Sequence, residues 1–302
     1  MVIIIHLLFL LLFPPLLIGV INKTKALFAG RRGAPFLQRY FDIFKLLKKG
    51  MVISSAATWV FRAGPVISLV TAAAAGLFLP IGKIPPLISF PGDFILFAYM
   101  FALSRFFTTS AALDTGSAFE GMGSAREVTF AVLIEPALFF VFLVLARLSG
   151  SFSLEGMLSL SVKNISAIGN AAPLLLTSVG LFIVLLAENC RIPVDDPNTH
   201  LELTMIHEVM VLDHSGPLLG LIEYGSAVKL FVTGSLLLNL ILPLQLLPVW
   251  TAALVLAGGL LLLSFVIGMI ESIMARLRMP RVPALLIASI LLCGSAFIML
   301  VR

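Results

Sequence analysis

The chain has 302 residues, of which 60% are hydrophobic and 12% charged, with a mean hydropathy of +1.13 and a formal net charge of +5. A soluble fold covers its surface with roughly 25% charged residues, so a water-soluble domain is excluded, and the positive charge has to be read by its position along the chain rather than as a nucleic-acid signal. Cys190 and Cys293 lie far apart and form no C-x-x-C unit, which excludes a cysteine-ligated iron–sulfur cluster or a Cys-rich zinc site within the chain and gives no ground for a disulfide.

The apolar runs are repeatedly about 20 residues long, the length of a helix crossing a ~30 Å hydrocarbon core. They are continuous rather than alternating, which favours helices over a closed barrel. The expected fold class is therefore an all-α membrane protein: one polytopic membrane domain over 1–302, with about eight transmembrane helices and a short interfacial amphipathic helix. The spans are expected at 2–21, 62–82, 92–112, 128–148, 171–187, 226–247, 250–270 and 283–301. The first run has no basic stretch before it and several basic residues after it, so it reads as a retained span rather than a cleaved signal peptide.

Those basic residues place the end of the first span in the cytoplasm. Loops 22–61, 113–127, 188–225 and 271–282 then share one side, where sixteen basic residues gather against four on the other. The expected topology is a multi-pass protein of a prokaryotic inner membrane with both termini outside. In the basic cytoplasmic loop 22–61, FLQRYFDIFKLLKK puts Phe36, Tyr40, Phe44 and Leu47 on one helical face. Gln38, Arg39, Asp42, Lys45, Lys48 and Lys49 fall on the other, the pattern of a helix lying in the interface. Ahead of it, GRRGAP holds Arg31 and Arg32 near the anionic leaflet, either as plain positive-inside anchors or as a docking element.

A charge inside a membrane costs a few kcal/mol and needs a reason. Glu135 falls inside the fourth span beside Pro136, which removes a backbone bond to the carbonyl of Val132. A kink beside a carboxylate suits a hydrated relay group; packing against a neighbouring helix is the plainer alternative. Glu127 and Arg126 open the same span, Glu223 and Lys229 enter the sixth, and Glu271 leaves the seventh. Snorkelling explains each of these singly. Together, Glu127, Glu135, Glu188, Glu223, Lys229 and Glu271 are expected to line a proton or ion relay from the cytoplasmic face into the mid-membrane. His6 and Asp93 are expected at the outer interface, and Arg105 reads as either an edge anchor or part of the polar interior.

The segment AENCRIPVDDPNTHLELTMIHE, residues 187–208, packs five acids, one Arg and two His between apolar segments. His207 and His214 with Glu208 or Asp213 do not match H-E-x-x-H, and no nucleophile elbow, P-loop or dinucleotide fingerprint occurs, so neither a metal site nor a catalytic residue is expected. Residues 188–225 read instead as an acidic cytoplasmic docking loop above a polar cavity. The expected docking and cavity residues are Arg31, Arg32, Asp114, Arg126, Arg191, Asp195, Asp196, Glu202, His207, Glu208 and Asp213.

The pattern A-E-N-x-R-x-P-x-D-x-P, the early GRRGAP with its amphipathic helix, and LDTGSAFEGMGSARE together resemble one family. It is the respiratory complex I membrane subunit that anchors the quinone-reducing arm, with its homologues in group 4 nickel–iron hydrogenases and formate hydrogenlyases. The resemblance runs from about residue 15 to 281, and LELTMIHEVMVLDHSGP looks like the hydrogenase side. Glu188, Arg191, Asp195 and Glu202 match complex I members, whereas Asn198 and His200 stand where those members tend to carry acids. The resemblance implies a non-catalytic component of an oxidoreductase complex, with no cofactor of its own. Its implied partners are peripheral iron–sulfur and hydrogenase- or dehydrogenase-like large subunits, which carry the iron–sulfur clusters and, on the hydrogenase branch, a nickel–iron centre. Antiporter-like membrane subunits and the lipid bilayer complete the set, with no nucleic acid. On the complex I branch the resemblance implies a quinone at the interface. A self-sufficient secondary transporter would need matched repeats with interrupted helices, and no such repeat is visible; a purely structural anchor remains the other rival.

Overall fold

The computed structural model describes residues 2–160, 171–196 and 205–301. Helices α1 (Val2–Leu12) and α2 (Pro14–Phe28) form one span broken in the middle. Pro14 and Pro15 have no amide hydrogen, so the carbonyls of Leu10 and Leu11 lose their helical donors, and the amide of Leu16 turns to the Phe13 carbonyl at 3.1 Å. Two phenols meet the carbonyls at the break: Tyr224 donates to Leu11 at 2.7 Å, and Tyr40 donates to Leu12.

The amphipathic helix α3 spans Gln38–Leu47, so Phe36 lies outside it. Its faces differ from the expected division. Phe41, Phe44 and Leu47 point outward, Ile43 is buried, and Arg39 turns inward to pair with Glu223. The cation needs a counter-charge more than the phenylalanines need cover, because an apolar face can rest in the interface.

Helix α4 (Trp59–Gly76) starts at Thr58, whose hydroxyl accepts the Val60 amide at 3.3 Å. It ends six residues short of the expected span: Pro80, Gly82 at φ +64° and Pro85–Pro86 fold the chain into a turn closed by mutual bonds between Ile81 and Ile84. Helix α5 (Asp93–Asp114) follows, then α6 (Ala118–Ser149), whose 32 residues extend about 48 Å, well beyond a ~30 Å core. Helices α7 (Leu154–Leu160), α8 (Ala171–Glu188), α9 (Gly216–Ile241), α10 (Val249–Ile273) and α11 (Val282–Val301) complete the described chain. Both α6 and α9 begin ten residues before the expected spans, because their polar first turns lie beyond the apolar window. Among the described residues, eight helical segments are long and apolar enough to cross a membrane, from Ile3–Phe28 to Met279–Val301. The eight expected spans are therefore present.

Helix α9 occupies the middle, packing on α2, α3, α4, α8 and α10, while α11 closes against α6 and α8. Small residues bring backbones close, as usual where lipid gives helices no hydrophobic reason to associate. His6 and Asp93 are fully buried rather than interfacial. His6 Nε2 lies 3.2 Å from the Gly76 carbonyl, and Asp93 accepts the Leu154 amide at 2.7 Å, tying α5 to α7.

Gly19 in α2 sits under the Phe36 carbonyl, where an added Cβ would come within 2.0 Å of the oxygen. Gly19→Ala is expected to push the lead into α3 outward and cost about 1–3 kcal/mol. The check is the thermal midpoint of the detergent-solubilised protein; an unchanged midpoint would mean the segment yields freely.

Candidate functional site

The polar segment after α8, expected as a docking loop above a polar cavity, contributes directly to the wall of that cavity. Its described part folds into the bundle, with Glu188, Arg191 and Asp195 exposed by only 7, 6 and 1%. The turn that takes it there is a helix C-terminal closure. Cys190 adopts φ +51°, the Arg191 amide bonds to the Leu186 carbonyl at 2.8 Å, and the Cys190 amide bonds to Ala187 at 3.1 Å. Buried Cys190, Ile192 and Val194 lie among the charged residues, each of which has an ionic partner within the protein. Asp195 accepts the amides of Asp196, Ile206 and His207 and pairs with Arg276 at 2.9 Å. Glu202, with Asn198 and His200, lies outside the described residues.

Behind this turn lies a cavity of about 280 Å³ walled by α2 to α6, α8 and α9. Its charged lining comprises Arg39, Arg105, Glu127, Glu188, Arg191, Asp195, Glu208, Glu223 and Lys229, with His207 and His214 beside them. A smaller cleft of about 50 Å³, the α5–α6 cleft, lies between α5 and α6, is floored by α8 and α9, and reaches Glu135.

Two charge networks reach the cavity, the first through Arg105, Glu127, Glu188 and Lys229 and the second through Arg191. In the first, Arg105 of α5 donates from Nη1 to Glu135 and from Nη2 to Glu188, both at 2.7 Å, while its Nε lies 3.4 Å from Glu127. Lys229 of α9 approaches the second oxygen of Glu188 at 2.7 Å. In the second, Glu271 of α10 takes Lys25 of α2 at 2.9 Å and Arg191 at 3.5 Å. Breaking one partner out of such a buried pair typically costs about 3–5 kcal/mol, so the networks also hold the helices in register.

All six expected relay residues thus have counter-charges, but in separate groups: Glu127, Glu135, Glu188 and Lys229 around Arg105, Glu271 around Lys25 and Arg191, and Glu223 on Arg39. Among the expected docking residues, Arg31 and Arg32 are exposed beyond the cavity. Asp114 is structural: it accepts the Thr58 amide at 2.6 Å, the Thr58 hydroxyl at 2.8 Å and the Phe61 amide at 3.3 Å, pinning the start of α4. Arg126 donates to the Met205 carbonyl at 2.7 Å and holds the incoming segment. Asp196 is half-buried, His207 and Glu208 line the cavity, and Asp213 is exposed.

Sequence reasoning missed Arg39, Lys25 and Arg276 as site residues, since positive-inside anchoring accounts for each of them. It also missed Glu120, fully buried and accepting the Asp213 amide at 3.0 Å, and His214, stacked on Phe61 at 4.0 Å. The unbroken helical run from 118 was the available signal for Glu120. Burial pushes the Cys190 thiol up, so it lines the cavity as a neutral group, and burial lowers the Arg39 guanidinium, with Arg191 adding to the effect. Among the described residues, no group of three or more His, Cys, Asp or Glu is arranged to hold a metal ion.

The model of the NADH dehydrogenase family matches residues 1–302. The chain belongs to that family, in its complex I subunit 1/H type. It is 30% identical over 275 residues to formate hydrogenlyase subunit 4 of Escherichia coli (strain K12), covering 89% of this chain and 88% of that protein. It is 33% identical over 236 residues to hydrogenase-4 component C of the same strain, covering 78% and 72%. An NADH-quinone oxidoreductase subunit of Polaromonas naphthalenivorans (strain CJ2) is 27% identical over 222 residues, 70% of this chain and 62% of that one. Among solved structures, the membrane-bound sulfane sulfur reductase, an archaeal respiratory membrane complex, has a chain of the same fold, with a TM-score of 0.84 at 20% identity, covering 99% of this chain and 98% of its own.

Burial holds the His214 imidazole below its ordinary value of 6.5, against weaker opposing effects from the Phe61 carbonyl and Asp213. The unfolded chain therefore takes up this proton first as pH falls. The stabilisation is complete above the unfolded value and is lost as pH drops through the folded one. Between about pH 7 and about pH 5, the range where histidine titrates, the thermal midpoint is expected to fall further than in His214→Phe, which keeps the stack on Phe61. Equal slopes in the two proteins would remove His214 from this account.

Proposed function

We propose that this chain is the membrane-anchoring and coupling subunit of a complex I-like or group 4 hydrogenase-type redox complex. It docks the peripheral electron-transfer arm on its cytoplasmic side and relays the redox event to H⁺ or Na⁺ translocation. The observation that carries this reading is Arg105, which holds three carboxylates from two helices at the wall of a polar cavity. A guanidinium shared among several acids can change partners without leaving any charge bare, so a change of charge in the cavity can be passed on through exchange of ion pairs. Glu127, Glu188 and Lys229 form the inner part of that relay, Glu135 is its lateral member, and Glu223 and Glu271 hold the neighbouring walls.

Docking in this reading falls on a rim of helix ends together with the exposed stretch of the 188–225 segment that leads into α9. Val52, Trp59, Leu113, Phe119 and Leu212 are exposed there by 84, 71, 61, 45 and 46%. Mutual bonds draw these elements together: Thr58 with Asp114, Val52 with Ser215, and Asp213 with Glu120. An apolar rim of this extent fits a protein partner, here the iron–sulfur and hydrogenase- or dehydrogenase-like large subunits, with antiporter-like subunits at the lateral side. The asymmetry of basic residues supports a cytoplasmic rim with both termini outside, in a prokaryotic inner membrane.

Glu135→Gln is expected to leave the complex assembled and its redox turnover intact while cation translocation by membrane vesicles is lost. Translocation at the wild-type ratio would reduce the buried charges to packing and the chain to an anchor. A quinone-binding role in a complex I-type oxidoreductase is favoured by one feature, the mixed polar and apolar lining of the inner cavity. Quinone-site inhibitors would abolish turnover under that reading and leave it unchanged under the first.

A further inference from the structure

The inner cavity and the α5–α6 cleft share two charged lining residues, Arg105 and Glu188. The carboxylates around them divide by side. Glu127 lines the inner cavity and not the cleft, whereas Glu135 lines the cleft and not the inner cavity. These two glutamates stand eight residues apart on α6, about 12 Å along the helix axis, and the guanidinium of Arg105 lies between them. Each edge of that planar group faces a different acid: Nε faces Glu127 at 3.4 Å, Nη2 holds Glu188 at 2.7 Å, and Nη1 holds Glu135 at 2.7 Å. Arg105 itself is 8% exposed and the Glu188 side chain 6%, but the Glu135 side chain is 47% exposed on the flank of the bundle.

We propose that Arg105 and Glu188 form a charged partition between a hydrated inner cavity and a dry lateral cleft, with Arg105 as the positioning residue that couples the two sides. The contact toward Glu127 is the longest of the three, so the guanidinium is committed to Glu135 and Glu188. A charge change in the inner cavity that draws Arg105 toward Glu127 releases Glu135 in the cleft. Lysine cannot replace it: an ammonium is a point charge on a flexible stem and cannot hold acids on both sides of a plane at once. Lys229 keeps Glu188 in the partition from the other side, approaching the oxygen that Arg105 does not take. The proposal rests on the coupling reading only for the link to translocation; the partition is tested separately.

Ala102 lines the cleft and not the inner cavity. Ala102→Cys is placed in a chain whose Cys190 and Cys293 are replaced by serine, within membranes holding the assembled complex. It is then treated with a cationic, membrane-impermeant methanethiosulfonate reagent. With Arg105 present, labelling is expected to be slow, because the reagent reaches the cleft only through the partition. Adding Arg105→Gln is expected to raise the rate at least about tenfold, equivalent to ~1.4 kcal/mol. Glu135→Gln, which leaves Arg105 on Glu188, is expected to leave labelling slow. Arg105→Lys gives a smaller rise and stands in for the glutamine variant should that one fail to assemble. Labelling that is equally fast with and without Arg105, or that stays slow when it is removed, overturns the partition. The ratio of cations moved per redox turnover, measured on the lysine variant, is expected to fall while turnover persists. Faster labelling with an unchanged ratio keeps the partition and sinks the coupling reading instead.

Discussion

A charge taken out of water must find its counter-charge inside the protein, and the arrangement of this bundle follows from that requirement. Glu188 sits at the last turn of α8, against the middle turns of α5 and α9, where it is buried. It is tolerable there because Arg105 and Lys229 reach it from two different helices. The same demand turns Arg39 of the interfacial helix inward to Glu223 and brings Lys25 from the first span to Glu271 on α10. Dispersion between apolar helices in lipid has little directional preference. These pairs supply the direction, fixing which faces of α3, α5, α8 and α9 look into the cavity and how α10 docks on α2.

The number of spans was legible because hydrocarbon thickness sets a length that apolar runs must meet. The helix ends were not. The first turns of α6 and α9 carry Ser, Gly, Glu and Tyr, which look like loop until the chain beneath them is known to need a rigid support. The acids of the site were legible for the complementary reason: a carboxylate in an apolar segment is costly enough to demand attention. Their partners were harder to see, since Lys25 and Arg39 stand among nine basic residues between Lys23 and Arg62 that positive-inside anchoring explains equally well. Pairing across 246 residues, as between Lys25 and Glu271, leaves no trace in local spacing.

Composition left one feature of the site out of view. Five acids within the 22 residues from Ala187 to Glu208 suggested water, because an isolated charge prefers water. Composition cannot distinguish a segment solvated by water from one solvated by arginine, lysine and backbone amides. Asp195 has three amides and Arg276 around it and is almost wholly enclosed. The apolar residues exposed on the proposed docking rim, such as Trp59 and Leu113, stand at helix ends that the sequence marks only as termini of spans.

The break in the first span has a mechanical meaning of its own. A continuous helix resists separation through its ladder of backbone bonds, but between α1 and α2 two prolines have removed rungs of that ladder. What closes the wall between α2, α3 and α9 at that height is two phenol hydroxyls and the nearby Arg39–Glu223 pair. Each phenol bond has a net worth of about 1 kcal/mol, and no secondary structure need unwind for them to let go. The broken span is thus held to its neighbours at that height partly by side-chain bonds to bare carbonyls, contacts that can exchange without any helix unwinding.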